Sequence, residues 1–460
     1  MSRINVPSVK VIHYADPFCP WSLPSDPSYD EARRVWNGVI DKRPLAIVKC
    51  KDEEDVVNTV NYARENSLLL ATRGGGHSVA GFGTCDNGVV LDLSEMKKIV
   101  VDPSSKTAVA QPGLTWGEFD RATQEHALAT TGGVISTTGI AGFTLGGGVG
   151  WLVRKHGLTI DNLLSVELVT AEGKKVKASA EQNQDLFWGV KGGGGNFGVV
   201  TLFEYKLHQV GPVVFGGLLI FPFERAEEVL KVYGEWVRSV PDELSALSLF
   251  LIAPPIPPIP QHIQGKRVFA IGLCYADDLE EGARLVSLIK ALNPAADLAG
   301  PIPYTVLQSM FDASAPRGIN AYWKSLYLDE LDKNVIGTLI QAGSSFRSPF
   351  THLDLIYLEG AVKRKGAEES AFQHRDKRFL VHMNGNWMNK QEETENINRV
   401  RHTWETLSRY TQEAYYLNFT GEEGVDKVKA IYGKAYPKLQ ELKRKYDPTN
   451  LFRVNQNIKP

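Results

Sequence analysis

Apolar positions recur along the chain at two spacings, and together they predict an alternation of short strands and helices. Asp52 heads a stretch in which Val56, Val57, Val60 and Ala63 fall on one helical face, so a capped helix is expected there. Residues 68–72 read as a buried strand running directly into Arg73-Gly74-Gly75-Gly76-His77-Ser78. Residues 89–93, 99–101 and 107–111 read as strands split by turn residues. Residues 164–170 and 174–178 look like the arms of a hairpin across Ala171-Glu172-Gly173. A short helix near 185–190 precedes a glycine cluster, and residues 197–207 read as the strand after it.

Past Val210-Gly211-Pro212 the segments lengthen. Residues 215–221, 247–252, 267–274, 352–358 and 379–383 are strand candidates, and 224–240 and 277–292 are helix candidates. Strands backed by helices suggest an α+β layer whose free face covers a ligand. The proline-dense stretch 254–260 reads as a rigid surface loop. Near the end, Leu439, Leu442 and Tyr446 form one helical stripe, while Lys438, Lys443, Arg444 and Lys445 read as its solvated face. Asp447-Pro448 stops that helix.

The length of 460 residues exceeds one ordinary core, so two domains are expected. Charges nearly cancel, with 51 Lys plus Arg against 53 Asp plus Glu, leaving no field to steer nucleic acid or an anionic membrane. Small-molecule chemistry or protein contacts remain. Residues 1–10 have no apolar signal core, and no run is long enough to span a bilayer. Cys19, Cys50, Cys85 and Cys274 are scattered, without CxxC or a Cys/His cluster. That pattern argues against a disulfide framework or metal site and fits a reducing cytoplasm, with one long-range disulfide left open.

Glycine is unevenly spread, dense at 74–76, 132–150 and 192–198. Consecutive glycines let backbone N–H groups converge on an anion without Cβ obstruction. Gly139, Gly142 and Gly146, Gly147, Gly148 could form a second such wall, and three clusters point to a large phosphate-bearing cofactor. Gly193-Gly194-Gly195-Asn196-Phe197-Gly198 satisfies GxGxxG, but a helix precedes it and a strand follows, the reverse of the dinucleotide motif. The NAD(P) reading is therefore rejected. Gly76-His77-Ser78-Val79-Ala80 lacks the last glycine of a nucleophile elbow, and no P-loop is present. A lone histidine such as His77 in a glycine turn is more often hydrogen-bonded than functional.

Taken jointly, these motifs carry a resemblance. Arg73 to Ser78, Thr131-Gly132-Gly133-Val134-Ile135-Ser136-Thr137-Thr138-Gly139 and Leu145-Gly146-Gly147-Gly148-Val149-Gly150-Trp151 follow a known order, as do residues 192–200, Tyr416-Leu417-Asn418-Phe419 and 452–458. From about Tyr29 to Pro460 the chain resembles the FAD-linked oxidases of the vanillyl-alcohol oxidase superfamily, within the berberine-bridge-enzyme-like branch. The resemblance implies an FAD-binding domain of two α+β subdomains from residues 1–210, completed by 413–460. Residues 211–412 would form an inserted substrate domain with an antiparallel sheet over the flavin. It further implies a covalent bond from His77 to the flavin 8α-methyl carbon. Arg73, Gly74, Gly75, Gly76, Ser78, Thr138, Gly139, Gly142, Gly146, Gly147, Gly148, Gly198 and Val200 would contact the cofactor, with Asn455 and Asn457 at its polar edge.

Two departures from the family are informative. Ile135 stands where bicovalent members carry a cysteine, so a single attachment is expected, and Val149 replaces the tyrosine of many plant members. Thr138 occupies the position that gates oxygen in relatives, and its valine-like shape favours an oxidase. Tyr416 matches the family's Tyr-x-Asn element and is the expected base; strand alternation would put it on one face with Asn418. His382 could supply the neighbour that lowers its pKa, or could simply be a satisfied sheet histidine. Trp323, Tyr322 and Trp387 could line the substrate cavity, and His374-Arg375 reads as a turn. The expected activity is oxidation of a CH–OH or CH–NH group with O2 giving H2O2. A dehydrogenase with another acceptor and a catalytically idle FAD module are the alternatives.

Overall fold

A computed structural model describes residues 21–421 and 424–460; residues 1–10 and Cys19 lie outside the described residues. The chain is α+β, built on three main sheets. In the first, Ala46–Lys49, Val89–Asp92 and Leu70–Arg73 pair in parallel, with Trp21–Ser22 antiparallel at the edge. Parallel pairing needs a crossover, which Glu53–Glu65 supplies. Asp52 caps this helix by accepting from the N–H groups of Glu54 and Asp55, and Val56, Thr59, Val60 and Ala63 are buried beneath it.

The second sheet is antiparallel, in the order Ile99–Asp102, Thr107–Ala110, Val199–Lys206, Leu163–Val169 and Lys175–Ser179. The expected hairpin is its last pair. The helix Gln184–Val190 precedes the GxGxxG glycines and the strand Val199–Lys206 follows them, the context that excluded a dinucleotide motif.

The third sheet is large and antiparallel. Its strands run Ala296–Asp297, Val213–Pro222, Arg267–Tyr275, Leu244–Ile252, His352–Tyr357, Phe379–Trp387 and Asn320–Leu328, with Gly300–Pro303 also paired to Val213–Pro222. Alternation gives the sheet two faces. Phe250, Phe269, Leu353 and Val381 pack under the helices Ala226–Ser239, Leu279–Lys290, Lys333–Ser344 and Glu393–Leu407. Their neighbours Leu249, Ala270, Asp354 and His382 face a cavity shared with the glycine-rich half.

The strand Phe379–Trp387 runs past the expected end at 383 through Asn384-Gly385-Asn386, and all nine residues are buried. At the C-terminus, Tyr436–Tyr446 packs Leu439 and Leu442 into the second core, and Asp447 caps its end. Lys443 is a correction to the solvated-face reading. It is fully buried, paired with Asp447 at 2.8 Å, and donates to the carbonyls of Asn196 and Phe452.

Candidate active site

The strand Leu70–Arg73 delivers the loop from Gly74 to Ser78 to the edge of a cavity of about 1060 Å3. Gly76 needs φ +67°, and a Cβ on Gly75 would come within 2.6 Å of the Gly139 backbone. The two glycine walls thus meet backbone to backbone, which no larger residue permits. Among the described residues, the N–H groups of Gly75, Gly76 and Ser78 donate to no protein acceptor, so they are free to cradle an anion. A Cβ on Gly142 would meet nothing within 4 Å, so that wall is open to a ligand. Arg73, Thr138, Gly139, Gly198, Val200 and Asn455 also line the cavity. The Arg73 guanidinium pairs with Asp92 at 2.7 Å, both buried, which fixes the start of the loop.

Four expected cofactor residues do not reach the cavity wall. The Cβ position of Gly146 is filled by Asn418 Oδ1 at 2.1 Å, that of Gly147 (φ +122°) by Phe372 at 3.0 Å, and that of Gly148 (φ +86°) by Thr159 Oγ1 at 2.0 Å. These glycines let the layer behind the wall pack closely. Asn457 is likewise off the wall, where Gln456 stands beside Asn455.

His77 lines the cavity and stacks on Trp36, with ring centroids 4.3 Å apart and planes 17° from parallel. Trp36 is itself held at both ends, its N–H donating to the Gly76 carbonyl and its Nε1 to the Ala315 carbonyl. His77 Nε2 is closed to solvent without a hydrogen-bond partner. Burial pushes the imidazole pKa down to about 4, so the ring is neutral at pH 7. Ile135 packs with Trp36, Val79 and Trp323. An orphaned ring nitrogen beside an anion cradle fits a flavin dinucleotide, whose pyrophosphate the loop would hold.

On the opposite wall, alternation along two adjacent strands presents His352, Asp354, His382 and Asn384, with Trp323 on the next strand. Asp354 faces both imidazoles, at 2.7 Å from His352 Nδ1 and 3.3 Å from His382 Nδ1. Burial alone would raise its pKa, but the two histidines outweigh burial and hold it at about 2. Burial lowers the pKa of His382, only partly offset by Asp354. His382 Nε2 and Asn384 Oδ1 are buried without partners.

Tyr416 takes a different place from the one expected. It is an extended residue before the single turn Leu417–Phe419, not part of a strand, and is 1% exposed. Its hydroxyl accepts from Gly148 N–H and from Asn418 Nδ2, each at 3.0 Å, yet burial still raises its pKa. Phe419 stands between it and His382, stacked on the imidazole at 3.9 Å and edge-on to Tyr416 at 4.9 Å. His382 therefore cannot depress the Tyr416 pKa, and Tyr416 holds Asn418 and the Gly148 turn in position. Asn418 does reach the cavity. Of the three aromatic candidates Trp323 lines the cavity; Tyr322 lies under Arg401 and Trp387 is fully buried off the wall.

A model of the FAD binding domain matches residues 44–179, and one described as berberine and berberine like matches residues 415–459. An FAD-linked oxidoreductase of Dictyostelium discoideum is 35% identical over 431 residues, covering 92% of this chain and 91% of its own. The chain belongs to the FAD-linked oxidoreductases. Within that family, the (R)-6-hydroxynicotine oxidase of Paenarthrobacter nicotinovorans is 28% identical over 95% of this chain and 96% of its own. The crystal structure of 6-hydroxy-D-nicotine oxidase from Arthrobacter nicotinovorans superimposes with TM-score 0.86, 25% identity, and coverage of 96% and 98%. A chitooligosaccharide oxidase shares the fold at TM-score 0.84 and 23% identity, covering 96% of this chain and 97% of its own. In this FAD-linked oxidoreductase, His352, Asp354 and Asn384 are site residues that the motifs did not reveal. Their trace in the sequence was polar residues at 352 and 354, alternating with Leu353 and Leu355 in a strand otherwise apolar.

Proposed function

We propose that the chain is an oxidase that takes a hydride from a CH–OH or CH–NH carbon of a small organic substrate and passes the electrons to O2, giving H2O2. The observation that carries this reading is the Asp354–His382 pair, with His382 Nε2 unpartnered at the cavity wall. Asp354 accepts from Nδ1 and so keeps the lone pair on Nε2. That nitrogen takes the proton of the substrate O–H or N–H as the hydride departs. The low pKa of His382 keeps it unprotonated at neutral pH, and the charged Asp354 stabilises the imidazolium once formed. Asn384 Oδ1 accepts from the substrate and orients it. FAD bound in the cavity supplies the hydride acceptor and the route to O2.

His77 is the proposed point of covalent attachment to FAD. Its neutral, partnerless Nε2 suits bond formation, and the Trp36 stack fixes the ring plane. Ile135 can form no second bond. Thr138 at the cavity wall, with its valine-like shape, supports access of O2, as does the kinship with (R)-6-hydroxynicotine oxidase. Anaerobic mixing with a panel of alcohols and amines tests the activity. A substrate bleaches the flavin absorbance, and admitting air restores the colour with stoichiometric peroxide. Slow recolouring in air but fast recolouring by a quinone would make the enzyme a dehydrogenase; no bleaching by any member would make it idle.

A further inference from the structure

The cavity face of the large sheet is divided by strand into a polar and an apolar half. Register sets Ile220, Ala270 and Leu249 in one row that ends on Asp354 and His382. The next row runs through Leu218 and Leu247 to Ile356. All these residues line the cavity, and none outside the Asp354–His382 end has a side chain that donates or accepts a hydrogen bond. The apolar wall continues into Met310 and Phe311 and out to Ile256 on the proline-dense loop and Val306 on the helix Tyr304–Gln308, which are 47% and 50% exposed. On the far side Ser245 Oγ and the nearby Trp151 Nε1 are buried without partners, and between Ser245 and the polar corner the cavity face of the sheet is apolar.

We propose that the substrate is a predominantly apolar alcohol or amine. Its ring or branched hydrocarbon body rests on the Leu218–Leu249 wall, and its single oxidisable CH–OH or CH–NH group turns to His382 and Asp354. The orientation rests on the oxidase reading above; the apolar class rests on the wall alone. Each methylene buried there strengthens binding about fourfold. Each sugar hydroxyl placed there loses water without replacement, at roughly tenfold in affinity. The substrates in the names of the oligosaccharide oxidases that share this fold are therefore excluded from this chain.

Isothermal titration of the holoenzyme with 4-alkylbenzyl alcohols of rising chain length, beside cellobiose and chitobiose, tests this. The affinity is expected to rise about fourfold per methylene, with a negative heat-capacity change, while the disaccharides give no binding heat. Leu251→Asn, at a half-buried position beside the wall, should flatten the series. The wild-type series decides the matter even if that variant fails to fold. A flat series, or disaccharides binding as tightly as the longest alcohol, overturns the proposal. Tightening with chain length but no bleaching of the flavin would sink the oxidase reading and uphold this one.

Discussion

The charge state of two residues sets the pH behaviour of the site. Burial lowers the His382 pKa below its ordinary value of about 6.5, against the opposing pull of Asp354, which His352 also faces. In the proposed mechanism the unprotonated form is the base, so flavin reduction should be flat from neutral to alkaline pH and fall as pH drops through the lowered pKa. Asp354→Asn removes the negative charge that favours the imidazolium and the acceptor that sets the tautomer. The acid limb should then move to lower pH while the plateau falls about a hundredfold or more. Rapid-mixing reduction kinetics across pH read both effects. An unmoved limb with an unchanged plateau would remove His382 from the proton transfer. Tyr416 departs from its expected strand at this same scale, because a family motif identifies a residue but neither its backbone nor which way its hydroxyl turns. Only the packed structure shows Gly148 and Asn418 occupying it.

Among the elements, the C-terminal helix Tyr436–Tyr446 secures the segment that carries Asn455 and Gln456 to the cavity. Its anchor is the fully buried Lys443–Asp447 pair, with Asp447 also accepting from the N–H groups of Leu451 and Phe452. Lys443→Met strands the carboxylate and two carbonyls, and should cost about 3–5 kcal/mol and release flavin more readily. The thermal unfolding midpoint and the free flavin after gel filtration check this; an unchanged midpoint would show that the pair is dispensable. Periodicity alone could not reveal Lys443, because Lys443-Arg444-Lys445 reads as one solvated run until the returning residues 451–458 cover part of it. The helix Glu53–Glu65 and the hairpin Leu163–Val169 with Lys175–Ser179 were legible, since each keeps one buried face and a cap or turn. The strand Asn320–Leu328 was not, for it is covered on both faces and loses alternation. Phe379–Trp387 runs past its expected end through Asn384, which lines the cavity, and Asn386, which accepts from Trp323 Nε1.

At the scale of the whole molecule, function depends on the large sheet being held over the glycine walls. Arg375 forms a buried two-point pair with Asp161, Asp312 accepts from Ser136, and Gln308 Nε2 donates to Asp120 at 2.9 Å. Burial raises the Asp120 pKa to about 7, and its Oδ1 has no partner. The folded protein therefore prefers the protonated acid, and stability from this group is lost as pH rises from about 4 to about 7. Asp120→Asn should raise the unfolding midpoint at pH 8, with the gain closing toward pH 4. A loss at pH 8 would mean that the charged form is needed. Which residues oppose one another across this sheet depends on register, which no local pattern encodes. The glycine motifs could therefore announce the cofactor while Asp354 and Asn384 stayed hidden.

We propose that His77 holds FAD covalently at the junction of these walls. The most direct test is acid precipitation of the purified protein beside His77→Ala, followed by absorbance of pellet and supernatant. Covalent attachment predicts yellow colour fixed in the washed wild-type pellet and flavin released from the variant. Flavin leaving the wild type with the supernatant would contradict it.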